Sequence, residues 1–136
     1  MSRAPAVERN TVGGSYYICP DEGRGGAWTF GPEQVAHTVQ ALWPQPQPVG
    51  PLRSDGVVDF DLRIGGLRCS ISYFTDRRFF TFRDQEPLEL PFRVVHGVLT
   101  VLAPGVPAVW TADFDGTMYP VDLSVGVEEF LSGVHA

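Results

Sequence analysis

Lysine is missing altogether: all ten basic residues of this 136-residue chain are arginine. That excludes Schiff-base chemistry on a lysine amine and a phosphate loop closed by lysine. Cysteine is scarce. Cys19 and Cys69 stand far apart in segments that read as strands, and neither belongs to a Cys-x-x-Cys pair, so both are expected as buried free thiols. No run of about eighteen apolar residues occurs, and Met1 to Gly14 carries neither an apolar stretch nor a cleavage pattern. These absences predict a cytoplasmic, unanchored protein. Positive charge is in deficit, with ten bases against sixteen acids and a formal charge of -6. Such a chain has no field to gather nucleic acid or an anionic membrane, and a basic protein is its natural electrostatic match. Arginine without lysine, beside abundant Pro, Gly, Val and Ala, is the composition expected of a GC-rich bacterial genome.

What is present suffices for a core. Hydrophobic residues make up 43% of the chain and aromatics 12%, including nine Phe and three Trp; this is enough apolar area to offset chain entropy in one domain. The expected organisation is a flexible arm over 1–14 and a single α+β domain over 15–136. No internal repeat is found.

The strongest local signal lies between Val57 and Arg83. Strands 57–64 and 67–74 flank Gly65-Gly66, a good two-residue hairpin turn. Pairing 64 with 67 sets Ile64 against Leu67, Leu62 against Cys69, Phe60 against Ile71 and Val58 against Tyr73 on one apolar face. A second turn around Asp76-Arg77 pairs Tyr73 with Phe80 and Ile71 with Phe82, in agreement with the first. The opposite face carries Asp59, Asp61, Arg63, Arg68, Ser70, Ser72, Thr81 and Arg83, with Val57, Phe74 and Phe79 clustered near one end. Arginine beside aromatic residues is the composition of contact hot spots.

Around this meander, a short strand over Ser15–Cys19 is closed by Pro20, and Asp21–Gly26 reads as a surface loop. Gly31-Pro32-Glu33 opens a helix to about Trp43, with Val35, Val39, Leu42 and Trp43 on one face and His37 pointing outward. The run Pro44–Pro51 favours polyproline II geometry and reads as a stiff crossover. Segment 91–103 fits helical spacing through Phe92, Val95, Leu99 and Leu102, while its β-branched content also permits a hairpin turning at His96-Gly97. Helix is preferred because Pro91 suits a start and Pro104-Gly105 a stop; His96 is then half-buried. Strands around Asp115-Gly116 follow, with Trp110, Ala112 and Phe114 alternating before the turn and Tyr119 and Val121 after it. Ser124 is placed to cap a last helix, Val125–Val134, with Val127, Phe130, Leu131 and Val134 on one face. The predicted order is β-α-β-β-β-α-β-β-α, an antiparallel sheet with helices packed on one face.

Ala112-Asp113-Phe114-Asp115-Gly116-Thr117-Met118 resembles the first motif of haloacid dehalogenase-type phosphatases. The resemblance implies Asp113 as nucleophile and magnesium ligand and Asp115 as general acid/base. It covers seven residues. That family also needs a later lysine and further acidic ligands on a long doubly wound domain, whereas nineteen residues follow Thr117 here and lysine is absent.

No Gly-x-Ser-x-Gly elbow, reactive-cysteine context or histidine pair at metal-ligand spacing occurs, and His135 is expected to fray. The sequence therefore predicts no cofactor and no catalytic residues. It points to a small non-catalytic protein-binding module of the inhibitor, immunity-protein or chaperone kind. Its expected contact surface is Asp59, Asp61, Arg63, Arg68, Arg83, Val57, Phe74 and Phe79. The alternative is a small-ligand-binding or metal-dependent enzyme using Asp113 and Asp115. Pairing of two copies through a sheet edge is left open.

Overall fold

Two glycines in succession, both at positive φ (57° and 83°), make the turn that only glycine adopts without strain. They join β2 (Val57–Ile64) to β3 (Leu67–Phe74) in the expected register, from Ile64 opposite Leu67 to Val57 opposite Phe74. β4 (Phe79–Arg83) continues the meander with Tyr73 opposite Phe80 and Phe74 opposite Phe79. The computed structural model describes residues 14–45, 56–76, 78–113 and 115–134. Expectations placed on the N-terminal arm, on the proline-rich run beyond Gln45, and on Arg77, Phe114 and His135 lie outside these residues.

β1 (Ser15–Pro20) inserts between β4 and β5 (Ala108–Ala112), and β6 (Tyr119–Val121) closes the far edge. Among the described residues the sheet has six strands in the order β2-β3-β4-β1-β5-β6, every neighbour antiparallel. The α-helices among the described residues are α1 (Pro32–Leu42), α2 (Glu89–Leu102) and α3 (Val127–Val134). The chain is thus an α+β protein. All three helices contribute to one core with Tyr16, Ile18, Phe60, Leu62, Ile71, Tyr73, Phe80 and Phe82, so they cover the face formed by the even-numbered residues of β1, β2 and β4 and the odd-numbered residues of β3.

Segment 91–103 is helical, as its spacing predicts. α2 starts at Glu89, leaving Pro91 in the first turn where amide groups have no helical acceptor. Phe92 lies at the centre of the core, fully buried, with four rings edge-on around it: Tyr16, Phe82, Trp110 and Phe130 at centroid distances of 5.0–6.2 Å. α1 starts at Pro32, with the Gly31 amide donating to Gln34 Oε1 at 2.8 Å.

Several local expectations need correction. Leu42 ends α1 at the rim of the core and is 42% exposed. His96 is buried rather than half-buried: its ring stacks on Phe130 at 5.0 Å and Nε2 lies 3.1 Å from the Asp122 carbonyl. α3 begins at Val127, with Phe130 N bonding the Gly126 carbonyl, because the Ser124 hydroxyl donates to Asp122 Oδ1 and so does not cap the helix. The β5–β6 ladder stops at Trp110 opposite Tyr119, so their connection is wider than the tight Asp115-Gly116 turn.

Asp21–Gly26 is not a plain loop. It winds through a 3-10 turn at Glu22–Arg24, Gly25 adopts φ 79°, and the Asp21 and Gly26 amides donate hydrogen bonds to Pro107 O and Asp21 O, both at 2.8 Å. A Cβ on Gly26 would meet Pro107 O at 2.6 Å and the Asp21 N and O atoms at 2.9 Å, whereas one on Gly25 would meet nothing within 4 Å. Gly26→Ala is therefore expected to cost about 3 kcal/mol through unyielding backbone contacts. Gly25→Ala should cost about 1 kcal/mol through its left-handed conformation alone. Urea unfolding of the two variants checks the order. Beyond this turn Trp28 and Phe30 bury against Phe80 and Tyr73, and the Phe30 carbonyl accepts from Tyr73 Oη and Arg78 Nη1, both at 3.0 Å.

Candidate functional site

Strand alternation sends the other set of side chains to the face that none of the three helices covers. Cross-strand pairing arranges them in rows. Val57, Phe74 and Phe79 are successive partners on β2, β3 and β4, and Cys19, Val109 and Pro120 on β1, β5 and β6. Phe79 and Cys19 stand one step beyond the Ile18–Phe80 pair, so an apolar row crosses the whole sheet. The next row is polar apart from one aromatic ring: Asp59, Ser72, Thr81, Tyr17 and Thr111. Beyond it stand Asp61 with Ser70 and Arg83 with Ser15, and last Arg63 with Arg68.

Small side chains in the middle of this face leave a trough. Ser70, Ser72 and Thr81 form its floor, Asp59 and Asp61 one wall, Tyr17 and Ser15 the other; Phe74 and Phe79 close one end and Arg83 and Gln85 the other. The volume of this open trough is about 750 Å3. From Phe79 to Arg83 the trough extends about 13 Å, and from β2 to β1 about 14 Å, by strand geometry.

Its polar groups are held in place. Asp61 Oδ2 takes Arg68 Nη2 at 2.8 Å and Asp59 Oδ1 takes the Ser72 hydroxyl at 2.6 Å. The Arg68 hydrogen bond holds the Asp61 carboxyl below its ordinary value against the opposing effect of desolvation, with the Arg68 charge, Ser70 and Arg63 adding to the lowering. The Gln85 carboxamide replaces a strand partner at Ser70, accepting from its amide at 3.0 Å and donating to its carbonyl at 3.1 Å. At the apolar end Phe74 and Phe79 stack with centroids 4.6 Å apart and planes 9° apart, and Tyr17 leans on Phe79 at 6.0 Å.

Of the residues expected at the surface, Asp59, Asp61, Phe74, Phe79 and Arg83 line this trough. Arg63 and Arg68 share the face, with Arg68 joined to the wall through Asp61. Val57 is fully buried and presents no surface. Tyr17, Ser15 and Gln85 were not foreseen. Alternation in Ser15–Cys19 marks Tyr17 as facing away from Tyr16 and Ile18, but which strands flank β1 is a long-range property that the local pattern does not encode.

Asp113 follows β5 and its amide donates to the Ser15 carbonyl at 3.0 Å, while the Asp115 carboxylate accepts the Tyr119 hydroxyl. Asp113 and Asp115 are both exposed. His96 lies in the core, bonded to the Asp122 carbonyl. Among the described residues no group of three or more His, Cys, Asp or Glu is placed to hold a metal ion. Nor does any described helix have the length and apolarity to cross a membrane. The Asp-x-Asp-Gly segment that resembles the phosphatase motif connects two antiparallel strands here, not a parallel strand to a crossover helix. Comparison with protein-family models, with characterised proteins and with solved structures finds no match to this chain.

Both thiols are free. Burial pushes Cys69 up to about 12, with Asp61 adding to the shift; burial also raises the half-buried Cys19, with Glu22 and Asp21 adding to the effect. A thiol-specific chromogenic reagent at pH 8 is therefore expected to modify Cys19 slowly and Cys69 only after denaturation. Fast release of two equivalents from the folded chain would contradict this placement.

Proposed function

We propose that this chain is a small non-catalytic protein-binding module, of the inhibitor, immunity-protein or chaperone kind, and that its open sheet face receives the partner. The observation that carries the reading is the trough. A stacked aromatic pair at one end and an anchored Asp–Arg network at the other give a partner both an apolar seat and directional polar contacts. The polar groups are already oriented by Ser72, Ser70 and Gln85, which lowers the ordering cost of association. The excess of acidic residues favours encounter with a basic partner.

The test compares partner capture by the wild-type chain, by Arg68→Ala/Phe74→Ala and by Asp113→Asn/Asp115→Asn. Loss of capture in the first pair with retention in the second supports the open face. Loss in the second pair alone transfers the function to the β5–β6 connection and the enzyme alternative.

A further inference from the structure

The hydroxyl groups on the floor of the trough have given their protons to the protein. Thr81 Oγ1 donates to the Tyr16 carbonyl at 2.9 Å, Ser72 Oγ to Asp59 Oδ1 at 2.6 Å and Ser70 Oγ to Asp61 Oδ1 at 3.4 Å. The two protons of Gln85 Nε2 go to the carbonyls of Ser70 and Arg83. These side chains therefore turn lone pairs, not protons, toward an occupant. Ammonium and guanidinium groups carry several donors and no acceptor, whereas an amide would set its own carbonyl oxygen among acceptors. The rings of Phe74, Phe79 and Tyr17 border the same floor, and ring faces attract a cation. The formal charge of -6 acts in the same direction.

Two residues further along β4 the chemistry reverses. Arg83 takes part in neither ion pair of the described residues, Arg68–Asp61 and Arg93–Glu128, and Ser15 stands opposite it on β1 with a second donor. Thr81 and Arg83 are about 7 Å apart by strand geometry. An arginine at the end of a chain holds its cation about 7 Å from its own terminal carboxylate when extended. We propose that the trough receives the C-terminal residue of the partner protein, an arginine or lysine. Its side-chain cation lies over Ser72 and Thr81 beside the aromatic rings, and its terminal carboxylate meets Arg83. This occupant rests on the open-face reading and names what the partner presents to that face.

The test is an amide NMR titration of the full chain with three short N-acetylated peptides. One ends in arginine with a free carboxylate, one in arginine carboxamide and one in citrulline, the neutral isostere of arginine, with a free carboxylate. The first is expected to shift the Thr81 and Arg83 amides, and each of the others to bind at least about tenfold more weakly, since each loses one charge-assisted contact. Equal affinities, or no binding of the first, overturn the proposal. Arg83 is exposed, so Arg83→Ala is expected to keep the fold; it should bind the free acid and the carboxamide alike while still preferring arginine to citrulline. A surviving preference for the free carboxylate overturns the proposal. Trimming a captured partner with a carboxypeptidase specific for basic residues is expected to weaken its binding by at least about tenfold, and unchanged affinity is equally fatal. Failure here is separable from failure of the open-face reading. A partner lost from Arg68→Ala/Phe74→Ala, with no discrimination among the peptides, overturns the occupant alone; a partner retained by that variant overturns the face and the occupant with it.

Discussion

Phe92→Ala is expected to destabilise the fold by about 4 kcal/mol, the range found when a fully buried aromatic side chain is cut to a methyl group. The reason is local to one point of the core. Phe92 is the residue of α2 around which the rings of β1 (Tyr16), β4 (Phe82), β5 (Trp110) and α3 (Phe130) arrange edge-on. Its removal leaves a void bounded by large rings that cannot collapse without turning off their edge contacts, so both the transfer term and the cavity term are lost. For a chain of this length the loss corresponds to a fall in melting temperature on the order of 12 °C, read by calorimetry. A fall below about 4 °C would mean that α2 does not seat on the sheet as described.

Arg68→Ala with Phe74→Ala is expected to weaken partner binding by at least about 100-fold, since two hot-spot side chains commonly contribute about 3 kcal/mol or more together. Stability should hardly change. Arg68 and Asp61 are 63% and 61% exposed, and exposed ion pairs contribute at most about 1 kcal/mol. Phe74 rests on Phe79 at the open face rather than in the core. The combination of intact melting and lost binding separates a contact role from a folding role. Equal loss of both would show that the aromatic stack is structural.

How much of this was legible in the sequence depends on how local each determinant is. The β2–β3 hairpin was, because two adjacent glycines dictate the turn and the turn dictates eight residue pairs. The second hairpin agreed with it through Tyr73 and Phe80. Helix α2 was legible through its punctuation, Pro91 in its first turn and Pro104-Gly105 after its end, despite β-branched residues within. The polar face of the meander was legible for the same reason as its register.

What stayed hidden is set by tertiary contact. Trp28 and Phe30 sit in a segment with neither helix nor strand hydrogen bonding, so no periodicity announced that they complete the aromatic cluster with Tyr73 and Phe80. The packing of Gly26 against Pro107 joins residues about eighty positions apart in sequence. Tyr17 entered the trough only because β1 lies beside β4, and Gln45 and Gln85 act as surrogate strand residues through their side chains, which no propensity describes. Val57 was expected at the surface with Phe74 and Phe79, yet it is buried at the start of β2.

The most direct measurement of the central claim is the affinity of a captured partner for three chains: wild type, Arg68→Ala/Phe74→Ala and Asp113→Asn/Asp115→Asn, titrated by calorimetry. The open-face account predicts near-equimolar binding to the wild type, binding to the Asn pair within about twofold of it, and loss of at least about 100-fold for the Arg68/Phe74 pair. Full affinity in the Arg68/Phe74 variant would contradict it.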